Sequence, residues 1–352
     1  MHNTYVHSKR NQSMECCKMF ASILVVFLHV SFPGTIDGFV KSFSCFAVPV
    51  FFAISGYFNY GADKETLTRR LKHLLQLYLT AILVNLVWGC LMTEYQGGST
   101  IAYLRCFVPD LEEIANWLIF QLDPRMGHLW YLSSACLCYW ILRVYVRFFG
   151  EKPVNYRPLY IISLCLFSVF LALGVILPLL GMDIPYLLYR NAYFMGLPMF
   201  TLGIFIHEYQ EQILTNYQLT TRKQLLIILA GVLLSLLQGN KLGMGQMTLG
   251  AIAEVVMLMI FLVAHPIVTS HAGVWDALIA KFGAWSTYIY LFHVIILQLY
   301  LKFFEASFSA AMGQWEPYLR PFAVAALSFL FAVIFERGEW LIKQIFRCGS
   351  RR

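Results

Sequence analysis

Runs of about twenty apolar residues, each long enough to cross a bilayer as a helix, recur along the whole of this 352-residue chain. No other feature restricts the fold so tightly, because backbone polar groups inside hydrocarbon must be satisfied within the chain itself. Ten runs are read, at 17–35, 40–60, 74–93, 127–147, 159–180, 188–206, 223–239, 247–268, 283–303 and 321–342. The expected fold is all-α: a polytopic transmembrane bundle of about ten helices. The stretch 112–122 (EEIANWLIFQL) is too short to cross and reads as an amphipathic helix lying at an interface.

Composition agrees. Apolar residue types make up 59% of the chain and charged types 13%, with a mean hydropathy of +0.65. Soluble domains run at about 45–50% and about 25%. That shortfall of charge excludes an ordinary cytosolic enzyme, a disordered chain and a secreted disulfide scaffold. The net charge of +7 is scattered in small groups at the ends of apolar runs, so no nucleic-acid partner is expected. The nine cysteines have no metal-type spacing and sit mostly in apolar runs, so no metal is expected.

The scattered charges give an orientation. With both termini in the cytoplasm, inner segments collect 19 of the 26 Lys and Arg and outer segments 7. The long outer loop 94–126 is acidic, with Glu94, Asp110, Glu112, Glu113 and Asp123 against Arg105 and Arg125. One membrane-embedded domain over 1–352 is expected, with a cytoplasmic tail at 1–14 and a basic one at 343–352. The first apolar run follows about fifteen polar residues with no small-residue cleavage pattern after it, and is read as a retained helix.

The first run, ECCKMFASILVVFLHVSFP, holds the most informative pair. Lys18 and His29 are eleven residues apart. Eleven steps of about 100° return to within about 20° of the start, so both side chains project from one helix face, about 16 Å apart along the axis. Glu15 lies in reach of Lys18 for an i,i+3 ion pair. An imidazole in a membrane segment marks a site by default and titrates near neutrality, which suits it to accept a proton from a hydroxyl. The competing reading has Lys18 snorkelling to the headgroups and His29 bonded to a neighbouring carbonyl.

K-x10-H in this run resembles the R/K-x10-H signature of the acyltransferase-3 membrane family. VPVFFAISGYF (48–58), TRRLKHLLQLYL (68–79), GHLWYLSS (127–134), RNAYFMGLPMFTLG (190–203) and WSTYIYLFHVIIL (285–297) resemble further blocks of that family, in order along the chain. Glu15 and Lys18 stand where Asp and Arg are common. The resemblance implies an enzyme that O-acylates envelope glycans or related acceptors. Acetyl-CoA or another acyl-CoA would be the donor, and the cytoplasmic membrane of a bacterium the location. His29 is then the general base, and Lys18, Arg69 and Arg70 receive the coenzyme phosphates. For the two arginines, plain topogenic charge is the competing reading. Family membership also includes the membrane part of vancomycin-resistance serine racemases, so a transporter or binding module for a small polar molecule is the alternative function.

Other residues are candidates for holding the acceptor. Glu254 lies within the eighth run and is expected to face the interior and pair with a cation or a protonated histidine. His128 falls at the outer end of the fourth run. Arg190 and Asn191 open the sixth, as acceptor or carbonyl contacts or as topological anchors. His293 is expected to make a helix-packing hydrogen bond, Trp130 to sit in an aromatic belt, and Ser55 to pack beside Gly56.

Overall fold

The computed structural model describes residues 11–121, 126–150, 153–216, 219–242, 247–267 and 273–349. Residues 1–10 and 350–352 of the expected tails, Asp123 and Arg125 lie outside the described residues. Among the described residues the chain is helical and has no strand. In order the helices are α1 (Gln12–His29), α2 (Thr35–Ser44), α3 (Ala47–Tyr57), α4 (Lys64–Tyr95), α5 (Thr100–Arg105), α6 (Leu111–Phe120), α7 (Trp130–Phe149), α8 (Arg157–Leu171) and α9 (Leu177–Leu179). There follow α10 (Leu197–Asn216), α11 (Thr221–Leu242), α12 (Leu249–Ala264), α13 (Val274–Leu299), α14 (Glu305–Met312) and α15 (Glu316–Gly349). Helix thus begins inside the stretch expected as an N-terminal tail, where the Asn11 side chain accepts from Ser13 N at 3.0 Å and caps it. It also continues through 343–349 of the expected C-terminal one.

Six helical segments among the described residues are long and apolar enough to cross a membrane: Thr35–Tyr57, Lys64–Tyr95, Gly127–Phe149, Arg157–Leu179, Thr221–Gly239 and Val274–Gly338. The last is 65 residues long and turns back at Gly313 (φ +55°), so that α13 and α15 pack on one another. α1 falls outside this set because eighteen residues carry Glu15, Lys18 and His29. It is shielded instead: α1 packs against α2, α3, α13 and α15, and Met14, Ala21, Ser22 and Val26 are wholly buried. A helix surrounded by helices need not be apolar all round.

The second apolar run, expected as one helix over 40–60, is broken between α2 and α3 at Cys45–Phe46. Pro49 supplies the reason. Its ring would collide with the carbonyl of Cys45 in an uninterrupted helix, and it has no N–H to bond there. Pro49 is accommodated instead in the first turn of α3. The stretch 112–122, expected as an amphipathic helix, forms α6, opened by a capping box of Asp110 and Glu113.

The core joins α1, α3, α7, α10, α12 and α13. α3 and α10 approach most closely where they bring glycine to each other's backbone. A Cβ on Gly56 would lie 1.7 Å from the Phe200 carbonyl oxygen, and one on Gly203 1.8 Å from that of Ala53. Ser55 is therefore beside a glycine contact, as its sequence context suggests.

Candidate active site

α1 and α13 run parallel, and their shared seam carries both members of the Lys18–His29 pair. Near one end Gly283 leaves the space into which Glu15 and Lys18 project: a Cβ there would lie 2.1 Å from Glu15 Oε2 and 3.2 Å from Lys18 Nζ. Ten residues further along α13, the ring of His293 lies 4.8 Å from that of His29, centroid to centroid. The stripe read from helical periodicity is thus a real face, and α13 is what it faces.

At the His29 end, residues from several elements meet. The 3-10 turn before α7 brings in His128, whose ring is edge-on to His293 at 5.8 Å. Tyr290, one turn before His293 on α13, donates its hydroxyl to the His128 carbonyl at 2.5 Å, and its own carbonyl takes a hydrogen bond from His293 Nδ1 at 2.8 Å. Tyr290 thereby ties that turn to α13 and orients the His293 ring. Tyr131 packs edge-on against Tyr290 at 5.3 Å. The guanidinium of Arg190 lies over the Trp130 ring at 4.9 Å. Arg190 and Lys41 are the cations whose fields reach His29. Lys41 is bound to Asp37 at 2.7 Å, whereas no carboxylate among the described residues pairs with Arg190. The His29 side chain is exposed, while His128 is half-buried and His293 buried.

At the other end Lys18 Nζ is 2.7 Å from Glu15 Oε2, the i,i+3 pair that the spacing predicts. Glu15 is only 1% exposed, so the ammonium neutralises a carboxylate that would otherwise be stranded. α7 starts at the His128 level and carries Arg143 thirteen residues on, about 20 Å along the bundle. There Arg143 Nε donates to Thr68 Oγ1 at 2.7 Å and helps line an open recess of about 650 Å³. Lys64, Arg69, Lys72 and His73 of α4 line the rest, with Glu65, Thr68 and Gln76. Five basic side chains against one acid make this an anion-attracting surface.

The two neighbouring arginines divide. Arg69 is exposed in the recess. Arg70 turns inward and spends its guanidinium on the Phe58 carbonyl at 2.7 Å and Asn59 Oδ1 at 2.8 Å, which secures the turn between α3 and α4. Asn191 is likewise occupied: its amide oxygen accepts from Tyr193 N and Phe194 N, and its amide nitrogen donates to the Leu187 and Leu188 carbonyls. It caps the helical segment that enters α10 and holds Arg190 beside Trp130.

Glu254 corrects its expectation. It is buried between α11 and α12, and Oε1 accepts from Ser235 Oγ at 2.9 Å, with Thr248 Oγ1 a further 2.7 Å from that hydroxyl. No cation or histidine among the described residues pairs with it. It borders a mostly apolar cleft of about 480 Å³, apart from the histidine cluster. Trp130 is buried under Arg190 instead of lying in a belt. His293 bonds a carbonyl of its own helix, not one across an interface.

Sequence reasoning undervalued Lys64, Lys72, His73 and Arg143. For those on α4 the signal was present: residues 65, 69, 72, 73 and 76 recur at three- and four-residue spacing, one face of a helix. Arg143 comes from another helix and had no such signal. Among the described residues no three His, Cys, Asp or Glu side chains converge as a metal site requires.

Taken together, these features define a polytopic helical membrane protein with titratable groups gathered at the two ends of one buried helix seam. An acyltransferase domain, that of acyltransferase family 3, matches residues 11–337 and so takes in both ends of the seam and every motif described above. The chain belongs to that family, and is a multi-pass membrane acyltransferase. No curated protein matches the chain, and no solved structure does.

Proposed function

We propose that this protein moves an acyl group, in the simplest case acetyl, from acyl-coenzyme A to a hydroxyl of an envelope glycan or a related acceptor. It would act in the cytoplasmic membrane of a bacterium, with about ten crossings and both termini inside. The recess around Arg69 takes the coenzyme phosphates, helped by Lys64, Lys72 and Arg143; Arg70 supports that surface through the α3–α4 turn. Lys18, held by Glu15, marks the same end of the seam.

His29 is the general base. As the acceptor oxygen attacks the thioester carbonyl, His29 takes the hydroxyl proton; the tetrahedral intermediate then collapses, the C–S bond breaks, and the coenzyme thiolate leaves and receives that proton. Arg190, with no carboxylate among the described residues to neutralise it, suits the oxyanion that develops in between. His128 borders the acceptor, Asn191 holds Arg190 in place, and Glu254 contributes through the α11–α12 packing. One observation carries this reading: Lys18 and His29 line the same α1–α13 seam, with the His29 side chain exposed at its end.

The test is direct. Purified protein in nanodiscs, given radiolabelled acetyl-coenzyme A and candidate glycans, is expected to label the acceptor, and His29→Ala is expected to abolish labelling. Undiminished transfer by His29→Ala would remove the assigned base. Uptake of an amino acid into proteoliposomes with no use of acetyl-coenzyme A would favour a transporter.

A further inference from the structure

Among the described residues no carboxylate orients the base proposed above. The charges acting on His29 are cations, and its only ring neighbour among the described residues is His293. A base that must present a bare nitrogen to substrate needs its other nitrogen held by a partner, which fixes the tautomer. The partner is legible from His293 itself. Its Nδ1 is 2.8 Å from the Tyr290 carbonyl, which can only accept, so Nδ1 carries the ring proton. In the neutral imidazole Nε2 is then a lone-pair acceptor. That atom is fully buried, in a residue 1% exposed, and has no hydrogen-bond partner among the described residues. A buried acceptor without a donor is disfavoured, so this one calls for an N–H.

We propose that the His29 ring supplies it. His293 accepts a hydrogen bond from one ring nitrogen of His29, holds that ring in a single tautomer, and keeps the opposite nitrogen bare toward the acceptor hydroxyl. The spacing fits. Two imidazoles joined by an N–H···N bond of about 2.9 Å have centroids about 5 Å apart, and these two lie at 4.8 Å with a 50° tilt. His128, edge-on at 5.8 Å, is the competing donor. His293 is a positioning residue in this arrangement and adds no charge beside Arg190 and Lys41. It is held in turn by Tyr290, whose hydroxyl ties the His128 turn to the same helix.

The inference rests on His29 being the base, and its test separates the two. Protein labelled with nitrogen-15 at histidine, in bilayers, reports each ring's tautomer by its nitrogen shifts. His29 is expected in one neutral tautomer. In His293→Asn the shorter amide keeps the bond to the Tyr290 carbonyl but cannot reach the Nε2 position. His29 is then expected in both tautomers, with kcat lower by about 10²-fold and KM for both substrates little changed. His293→Gln, which restores an acceptor at that position, is expected to recover a single tautomer and most of the rate. A single His29 tautomer in His293→Asn, or mixing that appears in His128→Leu instead, overturns the proposal. Should His293→Asn not fold, two tautomers of His29 in the unaltered protein overturn it equally. If no acyl transfer is found at all, the functional reading fails while the shifts still decide the pairing.

Discussion

The two ends of the α1–α13 seam hold similar numbers of basic side chains and use them in opposite ways. At the Lys18 end, cations crowd an open recess, and the buried Glu15 is matched by a lysine at 2.7 Å. At the His29 end, three histidine rings lie tilted or edge-on against one another and one arginine lies over an indole, with no acid among the described residues to match Arg190. Open cations act through a screened field that falls off within about 8 Å at physiological salt. Buried groups such as His293 and Trp130 act through fixed hydrogen bonds and less-screened dipoles. On the proposed function, one end collects an anion of loosely defined position and the other holds a reacting centre in one geometry.

That contrast can be broken by mutation. His29→Ala is expected to lower kcat by about 10²–10⁴-fold with little change in KM for acyl-coenzyme A, measured by acceptor labelling. Next, Arg190→Gln is expected to lower kcat by about 10²-fold, independently of salt; Arg190→Lys should recover only part, because an ammonium lacks the planar fork that sits on Trp130. Arg70→Ala should act on folding instead of on binding. Losing its bonds to Phe58 and Asn59 is expected to destabilise the protein by about 2 kcal/mol, seen as a lower midpoint of thermal unfolding in detergent. The smallest effect belongs to its neighbour. Arg69→Ala is expected to raise KM for acyl-coenzyme A by about 3–10-fold at low salt, an effect that shrinks as salt is added while kcat stays put. A salt-insensitive Arg69→Ala, or a salt-sensitive Arg190→Gln, would erase the distinction between the ends.

Much of this was legible from residue spacing. The apolar runs foretell where helices lie, α6 appears where an amphipathic segment was read, and the Glu15–Lys18 pair forms at its expected separation. The break at Cys45 was equally available, since Pro49 four residues later disfavours a continuous helix, but a hydropathy run conceals it. Arg69 and Arg70 show what spacing does not contain. They are adjacent, both basic and both on the first turns of α4, yet one faces an open recess and the other bonds the turn behind it. Asn191 and Glu254 fall in the same class. Each is a polar residue beside or within an apolar run, and each is absorbed by partners already in the fold.

The amino-acid sequence alone determined that this chain is a helical membrane protein, and that Lys18 and His29 share a stripe. Both follow from local quantities, the length of an apolar run and the 3.6-residue turn. Only the tertiary structure decided that the stripe meets Gly283 and His293, that Arg190 stacks on Trp130, and that Arg143 joins the recess of Arg69. The partner of a side chain across a helix seam depends on the rotation and crossing of both helices, which the packing of the whole bundle sets at once.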